Sequence, residues 1–89
     1  LDDITEINIF QKNFIGPFDF VRFTKLKKLH CGDNGIQSLD NLPASLDTLE
    51  CTFNKISSLD NLPPNIQMLN CKFNQILFLD NLPNSLIKL

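Results

Sequence analysis

A 20-residue period runs through most of this chain and restricts its fold more than any other property of the sequence. The block L-x-x-L-x-C-x-x-N-x-I-x-x-L-D-N-L-P starts at Leu26, again at Leu46, and with isoleucine in first place at Ile66. A fourth start breaks off at Leu89. Leu29, Leu49 and Leu69 fall in one column, Cys31, Cys51 and Cys71 in the next. Asn34, Asn54 and Asn74 follow, then Ile36, Ile56 and Ile76. A fixed period of this size belongs to solenoids, in which each unit is covered only by its neighbours. One unit alone has too little apolar surface to offset its ordering entropy, so stacking is obligatory.

Within a unit, Leu49 and Cys51 alternate with Thr48, Glu50 and Thr52, the two-residue period of a strand with one buried face. One strand per period, always in the same sense, must pair with its neighbours in parallel. Pro43, Pro63 and Pro83 close the units. Proline has no N–H to donate, so that arc is neither a central strand nor a helix interior. The asparagine falls where the chain leaves the strand. Its amide can satisfy backbone groups of its own coil and of the adjacent one. The expected fold is one domain, a curved right-handed parallel β solenoid with short strands and an extended, polyproline-like outer arc.

Residues 1–25 read as a degenerate first coil or cap. Ile4, Ile7 and Ile9 carry the spacing of Leu26, Leu29 and Cys31. Asn13, Ile15, Phe18 and Asp19 match Asn34, Ile36, Leu39 and Asp40 if one residue is inserted after Ile9, with a second insertion between Asp19 and Leu26. Phe10, Phe14, Phe18, Phe20 and Phe23 are expected to fill and cover the outer side of this coil. The alternative sets Phe10, Phe14 and Phe18 on one face of a short capping helix. Residues 26–89 then hold three repeats and the start of a fourth. The chain stops inside a strand, at Leu86-Ile87-Lys88-Leu89, which reads as a fragment of a longer array. An open end bearing Leu86 and Leu89 is expected to self-associate.

These columns resemble the leucine-rich repeat family over residues 26–89, where cysteine for leucine at the third strand position is a tolerated variant. The short unit and its Leu-Pro close are similar to the short-repeat subclass of secreted bacterial effectors. Phe53 to Ile56 and Phe73 to Ile76 are similar to the FNIP-type repeats of giant-virus and social-amoeba proteins, without the proline that usually flanks the isoleucine there. The resemblance implies a non-catalytic module that binds another protein on its concave strand face. The alternative is the substrate-recognition array of a longer enzyme, such as an effector ubiquitin ligase. An extracellular pattern-recognition ectodomain would bring cysteine-rich caps and glycosylation sites, and this sequence has neither.

If the columns become spatial rows, the strand residues turned from the core line up as Lys28, Thr48, Met68 and Lys88, then His30, Glu50 and Asn70, then Gly32, Thr52 and Lys72. Asp33, Phe53 and Phe73 precede the asparagines. The candidate binding residues are Lys28, His30, Thr48, Glu50, Thr52, Phe53, Met68, Asn70, Lys72 and Phe73. The two phenylalanines either tuck over the turn as packing or face solvent, where stacked aromatics beside a polar strip resemble a binding hot spot. Arg22, Lys25, Lys27 and Lys28 form a basic cluster, read as a solvated stretch or as a contact for an acidic partner.

Other chemistry finds little support. Ten acidic against eight basic residues give a net charge of −2, no basis for a nucleic-acid partner. No apolar run approaches the ~18–20 residues of a membrane span, and no signal-peptide pattern is visible in these residues. Cys31 and Cys71, two strand steps apart, would be separated by roughly 10 Å, too far for one zinc to hold all three thiols. They read as reduced core thiols, which favours an intracellular, cytoplasmic setting, the host cytoplasm if the protein is viral or an effector. His30 has no acid or nucleophile at a recognisable catalytic spacing. Asp40, Asp60 and Asp80 read as turn residues whose side chains bond local N–H groups rather than as a calcium ladder. No metal or other cofactor is implied.

Overall fold

The computed structural model of the chain describes residues 3–14, 19–77 and 82–83. Four strands form one parallel sheet in chain order: β1 (Glu6–Asn8), β2 (Lys28–His30), β3 (Thr48–Glu50) and β4 (Met68–Asn70). Ile7, Leu29, Leu49 and Leu69 face one another across the ladder, as the columns require. The chain is a parallel β solenoid, one strand to each coil.

Each strand spans three residues, yet backbone pairing continues beyond it at both ends. Asp47 and Thr48 share the Lys27 carbonyl at 3.0 Å each. On the far side Cys31 donates to Glu50 O at 2.8 Å and Asp33 to Thr52 O at 2.8 Å. The outer arcs are tied more sparsely, by Lys55 N to Ile36 O at 2.8 Å and Gln75 N to Ile56 O at 2.9 Å. The core lies between sheet and arcs. Leu26, Leu46 and Ile66 are sealed there with Leu29, Leu49, Cys31, Cys51, Ile36 and Ile56.

The asparagine column holds the coils together. Asn54 Oδ1 accepts from Asn34 N and Ile36 N of the preceding coil at 3.0 Å each. Its Nδ2 donates to Cys31 O of that coil at 3.1 Å, and to Cys51 O and Thr52 O of its own at 3.0 and 3.1 Å. Asn34 repeats the pattern toward the first coil, accepting from Lys12 N and Phe14 N and donating to Ile9 O. Backbone groups buried where no strand can pair them are thereby satisfied.

Those bonds correct the expected register of the first coil. Gln11 donates to Gly32 O as Asp33 does to Thr52 O, so Gln11 stands in the place of Asp33. Lys12 and Phe14 then occupy the positions of Asn34 and Ile36, and Asn13 that of Gly35, with which it shares a positive φ. There is no insertion after Ile9. Leu26 N reaches Phe23 O as Leu46 N reaches Pro43 O, so the additional residues fall between Phe14 and Phe23. The sheet side carries a continuous ladder and tolerates no slip, whereas the arc absorbs extra length. Phe14 stacks on Phe20 at 5.8 Å and Phe20 meets Phe23 edge-on at 5.7 Å, filling this wider arc. Residues 3–14 contain no helix. Ile15, Phe18, Asp80 and the expected strand at 86–89 lie outside the described residues.

Removing the Asn54 amide orphans several buried backbone groups at once, each costing about 1–3 kcal/mol. Asn54→Ala should therefore destabilise the fold by more than about 3 kcal/mol in urea unfolding. Asn74 is only half-buried, and of the preceding coil's amides just Ile56 N donates to it. Asn74→Ala should cost clearly less.

Candidate functional site

On the face of the sheet turned from the core, several polar side chains bond the backbone just beyond the end of their own strand. Asn8 Oδ1 accepts from Phe10 N at 3.0 Å, Glu50 Oε2 from Thr52 N at 3.1 Å, and Asn70 Oδ1 from Lys72 N at 3.4 Å. Glu50 also accepts the Thr52 hydroxyl. The same position thus closes the end of its strand in three coils out of four. His30 is the exception. Its Nε2 lies 2.9 Å from Glu6 Oε2 on β1. The histidine therefore has an acid partner, 24 residues away, which no local sequence spacing shows.

A concavity of about 550 Å³ lies against β3 and β4, lined by His30, Thr48, Glu50, Met68, Asn70 and Lys72 among others. Six of the ten candidate residues thus share one surface. Lys28, Thr52, Phe53 and Phe73 are not part of its lining.

Phe53 and Phe73 are exposed rather than tucked over the turn, at 53% and 68% of their surface. The rings lie parallel, 8° apart, with centroids at 4.4 Å. Their backbones explain the placement. Gln11, Asp33, Phe53 and Phe73 all adopt positive φ, between 53° and 59°. This left-handed conformation is uncommon for a bulky residue and costs roughly 1–2 kcal/mol. It persists because the residue is held from both sides. Phe53 N donates to Lys72 O at 3.1 Å, while Asn54 folds back onto Thr52 O at 3.1 Å. The tight corner points the side chain away from the core. The sequence signal is the polar Asp33 in the same column, a residue no core would accept.

At the other end of the row, Gln11 Nε2 donates to Asp33 Oδ2 at 2.8 Å. Phe10 lies across Gly32. A Cβ there would come within 2.9 Å of the ring, so glycine is needed for the close approach. At the turns, Asp40 N and Asp60 N donate to the Ser38 and Ser58 hydroxyls at 3.3 and 3.1 Å. The Asp40 carboxylate accepts from the Asn61 amide of the following coil. Of the basic cluster, Lys25 pairs loosely with Asp3 at 3.8 Å and Arg22 lies 5.5 Å from the centre of the Phe23 ring.

Comparison with known proteins adds one match. The family model described as Leucine Rich repeats (2 copies) covers residues 24–64, which contain β2, β3 and the arcs that follow them. No curated protein and no solved structure matches the chain.

All three cysteines are free thiols; Cys31 and Cys51 are sealed in the core and Cys71 is half-buried. Burial pushes the Cys31 thiol up to about 12 and that of Cys51 higher still, with neighbouring Glu50 adding to both. Burial raises Cys71 as well, though a backbone hydrogen bond opposes the shift. Unfolding returns the buried pair to the ordinary range near 9.0. A raised value in the fold means that this stability is complete below pH 9 and is lost as pH climbs from there toward 12. The loss should be about 1.4 kcal/mol per pH unit for each thiol. Urea unfolding from pH 8 to 10 should show it, and a Cys31→Ala/Cys51→Ala variant should flatten the slope. In mass-spectrometric alkylation at neutral pH, Cys71 should react well before the other two.

Proposed function

Given a leucine-rich repeat protein, we propose that the strand face and the Phe53/Phe73 edge beside it bind a partner protein, and that the chain itself performs no catalysis. Leucine-rich repeat domains generally mediate protein–protein interaction. The observation that carries the reading here is the pair of stacked, exposed rings, held in a costly backbone conformation at the edge of the strand face. Fold stability gives little reason to keep phenylalanine in a left-handed corner, because the ring contact does no more than offset the strain and Asp33 fills the same place in another coil. A contact surface does give one, because exposed aromatic side chains supply much of the energy of protein interfaces.

We place the chain in a reducing, intracellular setting, where free thiols in the core serve as small hydrophobes.

The corner supplies its own control. Asparagine adopts positive φ more readily than phenylalanine. Phe53→Asn/Phe73→Asn should therefore keep stability within about 1 kcal/mol, relief of strain offsetting the lost ring contact. It should also lose at least tenfold in capture of partners from a lysate of the source cells, a loss of roughly 1.4 kcal/mol. Ser38→Ala/Ser58→Ala on the outer arc should leave capture unchanged. Equal capture by the wild type and the asparagine variant would remove the face from consideration.

A further inference from the structure

Toward β1 and β2 the acids of the strand face have partners, Glu6 with His30 and Asp33 with Gln11, and Lys28 stands there as well. Residues 61–77, which include β4, contain no aspartate or glutamate, and their one charged side chain is Lys72. Glu50, on the strand next to β4, commits Oε2 to the amide and hydroxyl of Thr52 instead of pairing with that lysine. Among the described residues the Lys72 ammonium forms no ion pair. It borders an apolar surface, because Phe73 is its chain neighbour and Phe73 stacks on Phe53.

We infer that this corner, formed by Lys72, Phe73 and Phe53, takes an acidic peptide segment that carries an aromatic side chain. A partner carboxylate meets the Lys72 ammonium, and the partner ring packs on the Phe73/Phe53 pair. Charge complementarity selects the occupant. Residues 61–77 offer a basic segment no carboxylate, that of Glu50 on the neighbouring strand is already bonded to Thr52, and against Phe73 its cation would stand beside another cation. The inference rests on the protein-binding reading above and narrows it to one kind of partner.

The chain contains no tryptophan and no tyrosine, so a tryptophan in a probe peptide reports binding without background. Three short peptides serve: tryptophan flanked by glutamates, tryptophan flanked by lysines, and alanine flanked by glutamates. Binding is followed by tryptophan emission for the first two and by amide chemical shifts of the full chain for all three. The acidic tryptophan peptide should bind saturably, shift the amides of Lys72 and Phe73, and bind more tightly than either of the others. Lys72→Glu should weaken it about tenfold and turn the preference toward the basic peptide. Lys12→Glu, on the first coil, should leave binding unchanged, and added salt should weaken it. Binding of the basic peptide to the wild-type chain as tightly as the acidic one overturns the inference while leaving protein binding in place. So does an unchanged affinity in Lys72→Glu. Absence of binding by every peptide also overturns it, and the asparagine variants then decide separately whether the face binds protein at all.

Discussion

The structure depends on how buried backbone groups are satisfied where the strands end. A β ladder pairs N–H and C=O groups only while strands run side by side, and here the regular strands last three residues. Beyond them the chain must turn under a neighbouring coil, out of reach of water. The carboxamides of Asn34, Asn54 and Asn74 meet that demand by accepting from amides of one coil and donating to carbonyls of two. Leucine and isoleucine supply the driving force for stacking, but apolar contact is non-directional. The asparagines set the coils in register.

That constraint also shapes the outer surface. To bring each asparagine under the preceding coil, the residue before it must enter a left-handed corner, and its side chain is then thrown outward. The core's requirement thus creates an exposed row whose chemistry is unconstrained by packing. In the first two coils the row holds Gln11 and Asp33, joined by a hydrogen bond. In the next two it holds stacked phenylalanines. The scaffold sets where this row lies and leaves its composition open to whatever it meets.

Much of this could be read from the chain. A strict 20-residue period places Leu29, Leu49 and Leu69 opposite one another before any coordinates are seen, and it implies what the asparagines do. Matching asparagine to asparagine misplaces the first coil because it ignores the backbone. Lys12 lacks a carboxamide but supplies the N–H that Asn34 needs, and sequence similarity does not detect an amide proton. The exposure of Phe53 and Phe73 was undecided for a related reason. Side-chain type speaks of burial, whereas backbone conformation decides direction at such a corner. The Glu6–His30 pair and the contact of Phe10 with Gly32 arise only when the first coil stacks on the second.

The asparagine bonds run one way. The Oδ1 of each coil closes the turn of the coil before it, as Asn34 does for Lys12 and Phe14 and Asn54 for Asn34 and Ile36. An array wired like this can lengthen or shorten by whole coils, because each new joint repeats the last. A change of one or two residues near a strand would leave an amide without its acceptor. In evolution such a chain should count in twenties along its sheet and vary freely only in its outer loops, as the wider arc between Phe14 and Phe23 already does.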